Sequence, residues 1–503
     1  MQFLLLAASF LVLSLAASSP TLSIEKSMPG NGPVKLVTGA SALQNMRTCD
    51  QAVADPVNQD NPPDIKGVVW RDVDAALAIK LCLKALADSP GHLRATFNLG
   101  RAYDVAGDAK KAAGLHMTGA KAGYAMAQAD LGALYQAGVG VPRDLKLAAR
   151  WFEKSAQQGN AYARHRIGQL LMDGKGLEQD PGKAVSWYIK SASQNYAKAQ
   201  YSLGWAYVNG RGVDKDLRYG FAWYMKAAEQ GLAKAQNVIG WAFEKGIGVA
   251  PNAKQSIAWY QKAANQGFAK AQINLAYAYK NGRGVGVDKG QSFLWYLKAA
   301  KQGDAAAQAS VGAALFNGNG VAKDQTIALG WYRKSADQSN LLAQASLGIA
   351  NWFGMGVPVN IPKAIKWFKL AAAQGDSASH YYIGLAAMHG YVGSRDMSAA
   401  LKSFRNAANL GHGEAAAELG TLYSLGVKAD HDPKQAVELF HKAAEKNVPL
   451  AFVRLGEAYE LGLGVRIDKT LAKIWYQKAL DAGYSLEQIN KMVKLQRLLN
   501  ELN

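Results

Sequence analysis

The chain has 503 residues, 49% of them apolar and 19% charged, a composition that fits a globular protein and excludes a disordered one. Its 57 Lys and Arg against 38 Asp and Glu give a formal net charge of +19. That excess suits an acidic partner, an anionic polymer or an anionic membrane surface without choosing among them.

In chain order, Gln2 to Ala17 form a short apolar run that ends in small residues near Ala16, Ala17 and Ser18. The run is short for a bilayer span and fits the core of a secretory signal over residues 1–18, although no Lys or Arg precedes it. Residues 19–43, with several Pro, Gly and Ser, read as a flexible tether. No later segment is apolar enough to cross a membrane, so the mature chain is expected to be soluble, exported, and periplasmic or secreted. Residues 44–91 read as a helical module holding both cysteines, Cys49 and Cys82. In an exported chain an isolated pair favours a disulfide over a metal site or a nucleophile; two buried thiols are the alternative.

A fixed period governs the rest. Leu131-Gly132 returns as Ile167-Gly168, Leu203-Gly204 and Ile239-Gly240, and then in every copy to Leu455-Gly456, with Leu275-Ala276 as a variant. The step is 36 residues, without insertion or deletion, over ten copies spanning residues 125–484. Such a period marks a solenoid, whose units bury their apolar faces by stacking on one another. In residues 197–232, Ala199, Leu203, Ala206 and Tyr207 lie on one helical face, and Gly210 and Gly212 break the helix. A second helix follows, with Trp223, Tyr224, Ala227 and Ala228. Gly204 sits mid-helix, where glycine costs about 0.5–1 kcal/mol relative to Ala, so backbones are expected to approach closely there. Aromatic pairs such as Trp187-Tyr188 and Trp223-Tyr224 are expected to fill the space between layers. Asp216 and its equivalents, from Asp144 to Asp468, are expected to cap the second helix.

This pattern, A-x-x-x-L-G-x-x-Y-x-x-G-x-G-V-x-x-D-x-x-x-A-x-x-W-Y-x-K-A-A-x-x-G, resembles the Sel1-like repeat, a longer relative of the tetratricopeptide repeat. Residues 92–124, with Leu99-Gly100, resemble a shorter, divergent first copy. Residues 44–91 resemble, less closely, a module that precedes such arrays in exported bacterial proteins. The resemblance implies an all-α, right-handed α-solenoid of stacked helix-turn-helix units. It also implies a scaffold for protein or peptide partners in the envelope, regulating a signalling or secretion partner, or contact with a host. Ser485, with Gln488 three residues on, opens a last helix over residues 485–503, whose Ile489, Met492, Val493 and Leu499 could cover the end of the stack. A partner-binding helix is the alternative reading.

Little is left for catalysis, and no enzyme, cofactor or metal is expected. The Gly-x-Gly loops lack the strand and third glycine of a dinucleotide fingerprint. Ser23-Ile24-Glu25-Lys26 matches S-x-x-K without its companion motifs. The histidines show no metal spacing, although His380, His389 and His412 belong to neighbouring repeats. One periodic feature remains. Lys154, Lys190, Lys226, Lys262, Lys298 and Lys334 share one repeat position, as do Lys442 and Lys478. They are either solvated residues at the negative end of the second helix or a basic ridge for an anionic envelope or polysaccharide component. Nucleic acid fits poorly, because the aromatics occupy packing positions. Repeats 8 and 9 depart from the pattern: Ser403 and Leu439 replace Trp, and both loops are irregular, consistent with a hinge, an adapted surface or drift.

Overall fold

The computed structural model describes residues 39–502, apart from 57, 59, 60 and 427–430. The signal at 1–18, nearly all of the tether and the Ser23–Lys26 match lie outside the described residues. The chain forms two compact units, one ending at Arg143 and one beginning at Asp144. The described residues form 25 α-helices, one 3-10 turn and no strand, an all-α solenoid architecture.

The first unit contains helices Gly39–Val53, Ala75–Asp88, Leu93–Val105, Ala109–Lys121 and Ala125–Ala137. Its core gathers Met46, Val53, Ala78, Ala85, Leu99 and Ala102 around Cys49 and Cys82. A polar lock runs beside this core. Asp50 is fully buried and accepts hydrogen bonds from Arg94 Nε at 3.1 Å, Arg94 Nη2 at 3.0 Å and Asn98 Nδ2 at 2.9 Å. A buried carboxylate persists only when it is paired and bonded in this way.

The second unit is a run of twenty helices, from Leu145–Gln157 to Leu486–Leu502, each packed chiefly on the helices before and after it. In repeat 3, helix A is Ala197–Asn209 and helix B is Leu217–Glu229. Gly210 ends helix A in the left-handed conformation, at φ 63°. Asp216 then caps helix B, its Oδ1 accepting from Tyr219 N at 2.8 Å. The same cap recurs at all ten positions, with Asn252 and Asn360 standing in for Asp. Each cap contributes about 1 kcal/mol.

Two glycines per repeat set the packing distances. A Cβ on Gly348 would lie 2.4 Å from Phe368 Cε1, and one on Gly240 would lie 2.6 Å from Tyr260 Cδ1. The mid-helix glycine therefore admits the ring of its own helix B, the second member of each aromatic pair. The second loop glycine works between repeats. A Cβ on Gly212 would lie 2.1 Å from Pro181 O, at the start of the preceding helix B. Repeat 5 lacks the first of these glycines. Ala276 replaces glycine there, and Tyr296 is half-buried where Tyr260 and Tyr332 are buried.

The last helix begins with a reciprocal capping box: Gln488 N donates to Ser485 Oγ and Ser485 N to Gln488 Oε1. Ile489 and Val493 are buried against repeats 9 and 10, with Met492 packed beside them. The side chain of Leu499 lies outside the described residues.

These contacts predict that Gly348→Ala destabilises the chain although Ala is the better helix former. Overpacking costs about 1–3 kcal/mol, against a helical gain of about 0.5–1 kcal/mol. Thermal unfolding by circular dichroism should show a lower midpoint; a higher one would mean that the ring contact does not govern the repeat.

Candidate interaction surfaces

The two sequence-level site features fall in different units and have different environments. Cys49 and Cys82 are fully buried, on helices Gly39–Val53 and Ala75–Asp88, with Cα atoms 4.7 Å apart and sulfurs in bonding position. This spacing lies within the range a disulfide can bridge. The six lysines all lie in the last turn of helix B and are exposed. Sequence reasoning missed what each of them touches. The ammonium of Lys262 sits 3.9 Å from the centre of the Trp259 ring and that of Lys298 is 3.7 Å from Trp295. Lys154, Lys190, Lys226 and Lys334 lie 4.3–4.6 Å above the tryptophan three residues earlier. A Trp-x-x-Lys spacing on a helix was the available signal, since residues three apart are neighbours.

The tryptophans are therefore not simply interlayer filling. Most are partly exposed, and in most pairs the second aromatic takes the buried place on the glycine; in repeat 5 Trp295 is the buried member and Tyr296 is half-buried. Some also meet the preceding helix B, as where Arg333 lies 4.7 Å from the Trp367 ring and His441 lies 5.7 Å from Trp475. An exposed cation–π pair contributes about 0.5–1 kcal/mol.

A second recurrent group, also missed, is a buried glutamine at the fourth position of helix A. Gln236 Nε2 donates to Ala228 O of the preceding repeat at 3.1 Å, and its Oε1 accepts from Gln266 Nε2 at 2.7 Å. Gln272, Gln308 and Gln344 repeat the arrangement. The A-x-A-Q spelling at the start of repeats 1 and 3 to 6, with Leu341-Leu342-Ala343-Gln344 in repeat 7, was its signature.

Packing leaves one face of helix A open. Positions 2, 6, 9 and 13 of that helix form a stripe, spaced as neighbours on one helical face. It carries Trp241, 42% exposed, Tyr277 at 43%, Phe353 at 51% and Leu342 at 54%. Adjacent repeats are tied across this face, Asn274 Nδ2 donating to Asn237 Oδ1 at 2.9 Å. In repeats 7 and 8 an aromatic group gathers beside the stripe. Trp352 lies 5.3 Å from Tyr382 and 5.7 Å from Tyr391, and Tyr382 stacks on Phe368 at 4.9 Å.

The remaining candidates are occupied by structure. His412 Nδ1 accepts from Ala415 N as a helix cap while its ring stacks on Tyr381, and His389 stacks on Tyr391. Among the described residues no group of three His, Cys, Asp or Glu is placed to hold a metal ion. The Gly-x-Gly loops end helices and abut the neighbouring backbone, leaving no cradle for phosphate. Ser403 bonds its own helix through Ala399 O, and Leu439 is buried where other repeats hold Trp. Among the described residues no helix is long and apolar enough to cross a membrane.

The repeats at residues 125–160, 161–196, 197–232, 233–268, 269–304, 305–340, 341–376, 377–412, 413–448 and 450–484 each match the Sel1 repeat model. The chain belongs to the Sel1 repeat family. It is similar to the crystal structure of c5321, described as a protective antigen of uropathogenic Escherichia coli with an SLR fold. The identity is 33%, the TM-score is 0.70, and the match covers 84% of this chain and 93% of that one. A Sel1 repeat protein from Oxalobacter formigenes is also 33% identical, covering 48% of this chain and 96% of its own, with a TM-score of 0.43. No curated protein matches the chain.

One buried group beside the open face gives a pH prediction for this Sel1 chain. His165 Nε2 lies 3.0 Å from Ser202 Oγ, Nδ1 is buried without a hydrogen-bond partner, and the ring sits between Tyr188 and Tyr196. Burial, reinforced by the charges of Arg166 and Lys198, lowers its pKa to about 3. The unfolded chain takes up a proton below about 6.5 that the folded chain refuses. The His165 contribution is therefore complete above that pH and is lost as pH falls, on the order of 2 kcal/mol by pH 5. Tyr201 fills the equivalent place in the next repeat, so His165→Tyr should shrink the drop in thermal midpoint between pH 7.5 and pH 5. An unchanged drop would place the pH sensitivity elsewhere.

Proposed function

We propose that the chain is an exported, non-catalytic adaptor that binds a protein or peptide partner in the bacterial envelope or outside the cell. The observation that carries this reading is the row of exposed aromatic residues, Trp241, Tyr277 and Phe353, on a helix face that packing leaves open. Large aromatics are enriched at the energetic centres of protein interfaces. The apolar run at Gln2–Ala17 supports export, as does the likeness to a protein described as a protective antigen. A photo-crosslinking residue at Trp241 in the native host should capture a discrete protein, whereas one at Lys226 should not. Capture only from the Lys226 position would sink the assignment of the binding face.

The Cys49–Cys82 pair belongs to the same reading, because a disulfide persists in an exported chain. Closing the loop between them stabilises the first unit by about 3–4 kcal/mol on the chain-entropy estimate. Mass spectrometry of the unreduced mature chain should find no alkylatable thiol; two would refute both the bond and the oxidising location.

A second reading is favoured by the lysine row, which presents six exposed ammonium groups from equivalent places on successive helices. In that reading they bind an anionic envelope or polysaccharide component. Binding of that kind should collapse between low and moderate salt, while apolar docking on helix A persists. Lys190, Lys226, Lys262 and Lys298 replaced together by Gln should abolish polyanion binding; unchanged binding removes this reading.

A further inference from the structure

The open stripe of helix A changes character along the second unit. In repeats 2 to 5 its sixteen positions hold five basic residues, Arg166, Lys198, Lys234, Lys245 and Lys270, against one acidic residue, Asp173. In repeats 6 to 8 its twelve positions hold no Lys, Arg, Asp or Glu at all. Leu342, Ile349, Phe353, Tyr382 and Leu385 stand there instead. In repeat 9 the sign reverses, with Glu414 and Glu418, while in repeat 10 Arg454 and the buried Glu457 pair with each other at 2.8 Å. The overall excess of basic residues makes this acidic end a feature of the stripe and not of the composition.

Local electrostatics agree with this division. Lys234 lies 4.5 Å from the Tyr201 ring and its pKa is lowered, first by burial and then by Lys270 from the next repeat. Glu418 is raised, with burial outweighing Arg454 and His389. The basic end therefore gathers like charge, which a complementary partner would relieve.

Resting on the reading of helix A as the binding face, we infer that its occupant is an extended polypeptide segment with three ordered blocks. An acidic block lies along repeats 2 to 5, an apolar and aromatic block along repeats 6 to 8, and a basic block along repeat 9. A polyanion is excluded by the acidic end and gains nothing from the uncharged middle. A polypeptide is the class of ligand that carries all three chemistries in one chain. With layers about 10 Å apart, the middle zone spans about 30 Å, which an extended segment covers with about nine residues.

Phage display of random 24-residue peptides against the full mature chain tests this directly. Enriched peptides should carry carboxylates at one end, aromatic or aliphatic residues in the centre and Lys or Arg at the other end. Lys234→Glu with Lys270→Glu should weaken a selected peptide at least tenfold while circular dichroism shows the chain still folded, and removing that peptide's acidic block should cancel the difference. Glu414→Lys should act likewise through the basic block. Uniformly acidic peptides, or peptides with no charge order, would overturn the ordered occupant while leaving a protein-binding face intact. Failure to enrich any peptide would also overturn it; the scaffold reading would then stand or fall on the crosslinks from Trp241.

Discussion

Everything in the repeat depends on a close approach that only a missing side chain permits. The helix A glycine admits the Tyr or Phe ring of helix B, and the second loop glycine meets the carbonyl at the start of the preceding helix B. One contact fixes the hairpin and the other fixes its neighbour. Both are measured in tenths of an ångström, and close-packed interiors do not absorb larger changes cheaply. An added residue between the two glycines would satisfy one contact at the expense of the other. That gives a physical reason for the 36-residue step in the copies that keep both glycines; repeats 5, 8 and 9, which lack one of them, hold the same step. Where Ala276 replaces the glycine the helix persists, with Tyr296 half-buried.

Around this contact the other recurrent residues divide the work. The capping Asp or Asn satisfies the start of helix B. The buried Gln bonds the preceding repeat with its amide and its own repeat with its carbonyl, so a polar group at the centre of the stack is fully paired. Such a group specifies register, because a shifted neighbour would leave it buried without partners. The tryptophan stands further out, with a lysine on its face. The lysine row is thus part of the scaffold and of its surface at once. Its charge remains in solvent, where salt screens it, and its position is held by the ring beneath.

The periodic skeleton was legible in the sequence because each part of it carries a distinct local signature. A mid-helix glycine, a Gly-x-Gly stop and an Asp before an apolar run each have one strong physical explanation. The helices, the caps and the solenoid class followed from them. The Gln bridges and the Trp–Lys pairs were written just as regularly, but their meaning depends on side-chain direction. Period alone could not separate a lysine lying on a ring from one free in water. It also could not tell that the two members of an aromatic pair have different fates, Tyr224 buried and Trp223 half-exposed. The open stripe was harder still to read. Its positions vary from repeat to repeat, so a search for recurrence passes over them.

That variability is itself informative. Stacking constrains Gly204, Gln200, Tyr224 and Asp216 in the same way as their counterparts elsewhere, and so those residues describe a Sel1 scaffold and not a particular partner. Positions 2, 6, 9 and 13 of helix A are held less tightly, because all of them in repeats 2 to 10 except Glu457 keep some exposure to solvent. Drift would scatter charges over them. Instead basic residues gather over four repeats, none of either sign stands in the next three, and Glu414 and Glu418 follow in the ninth. Segregation of that kind also works against the fold, since like charges from adjacent repeats repel one another when no ligand is bound. A charge arrangement that costs stability is best accounted for by what it binds.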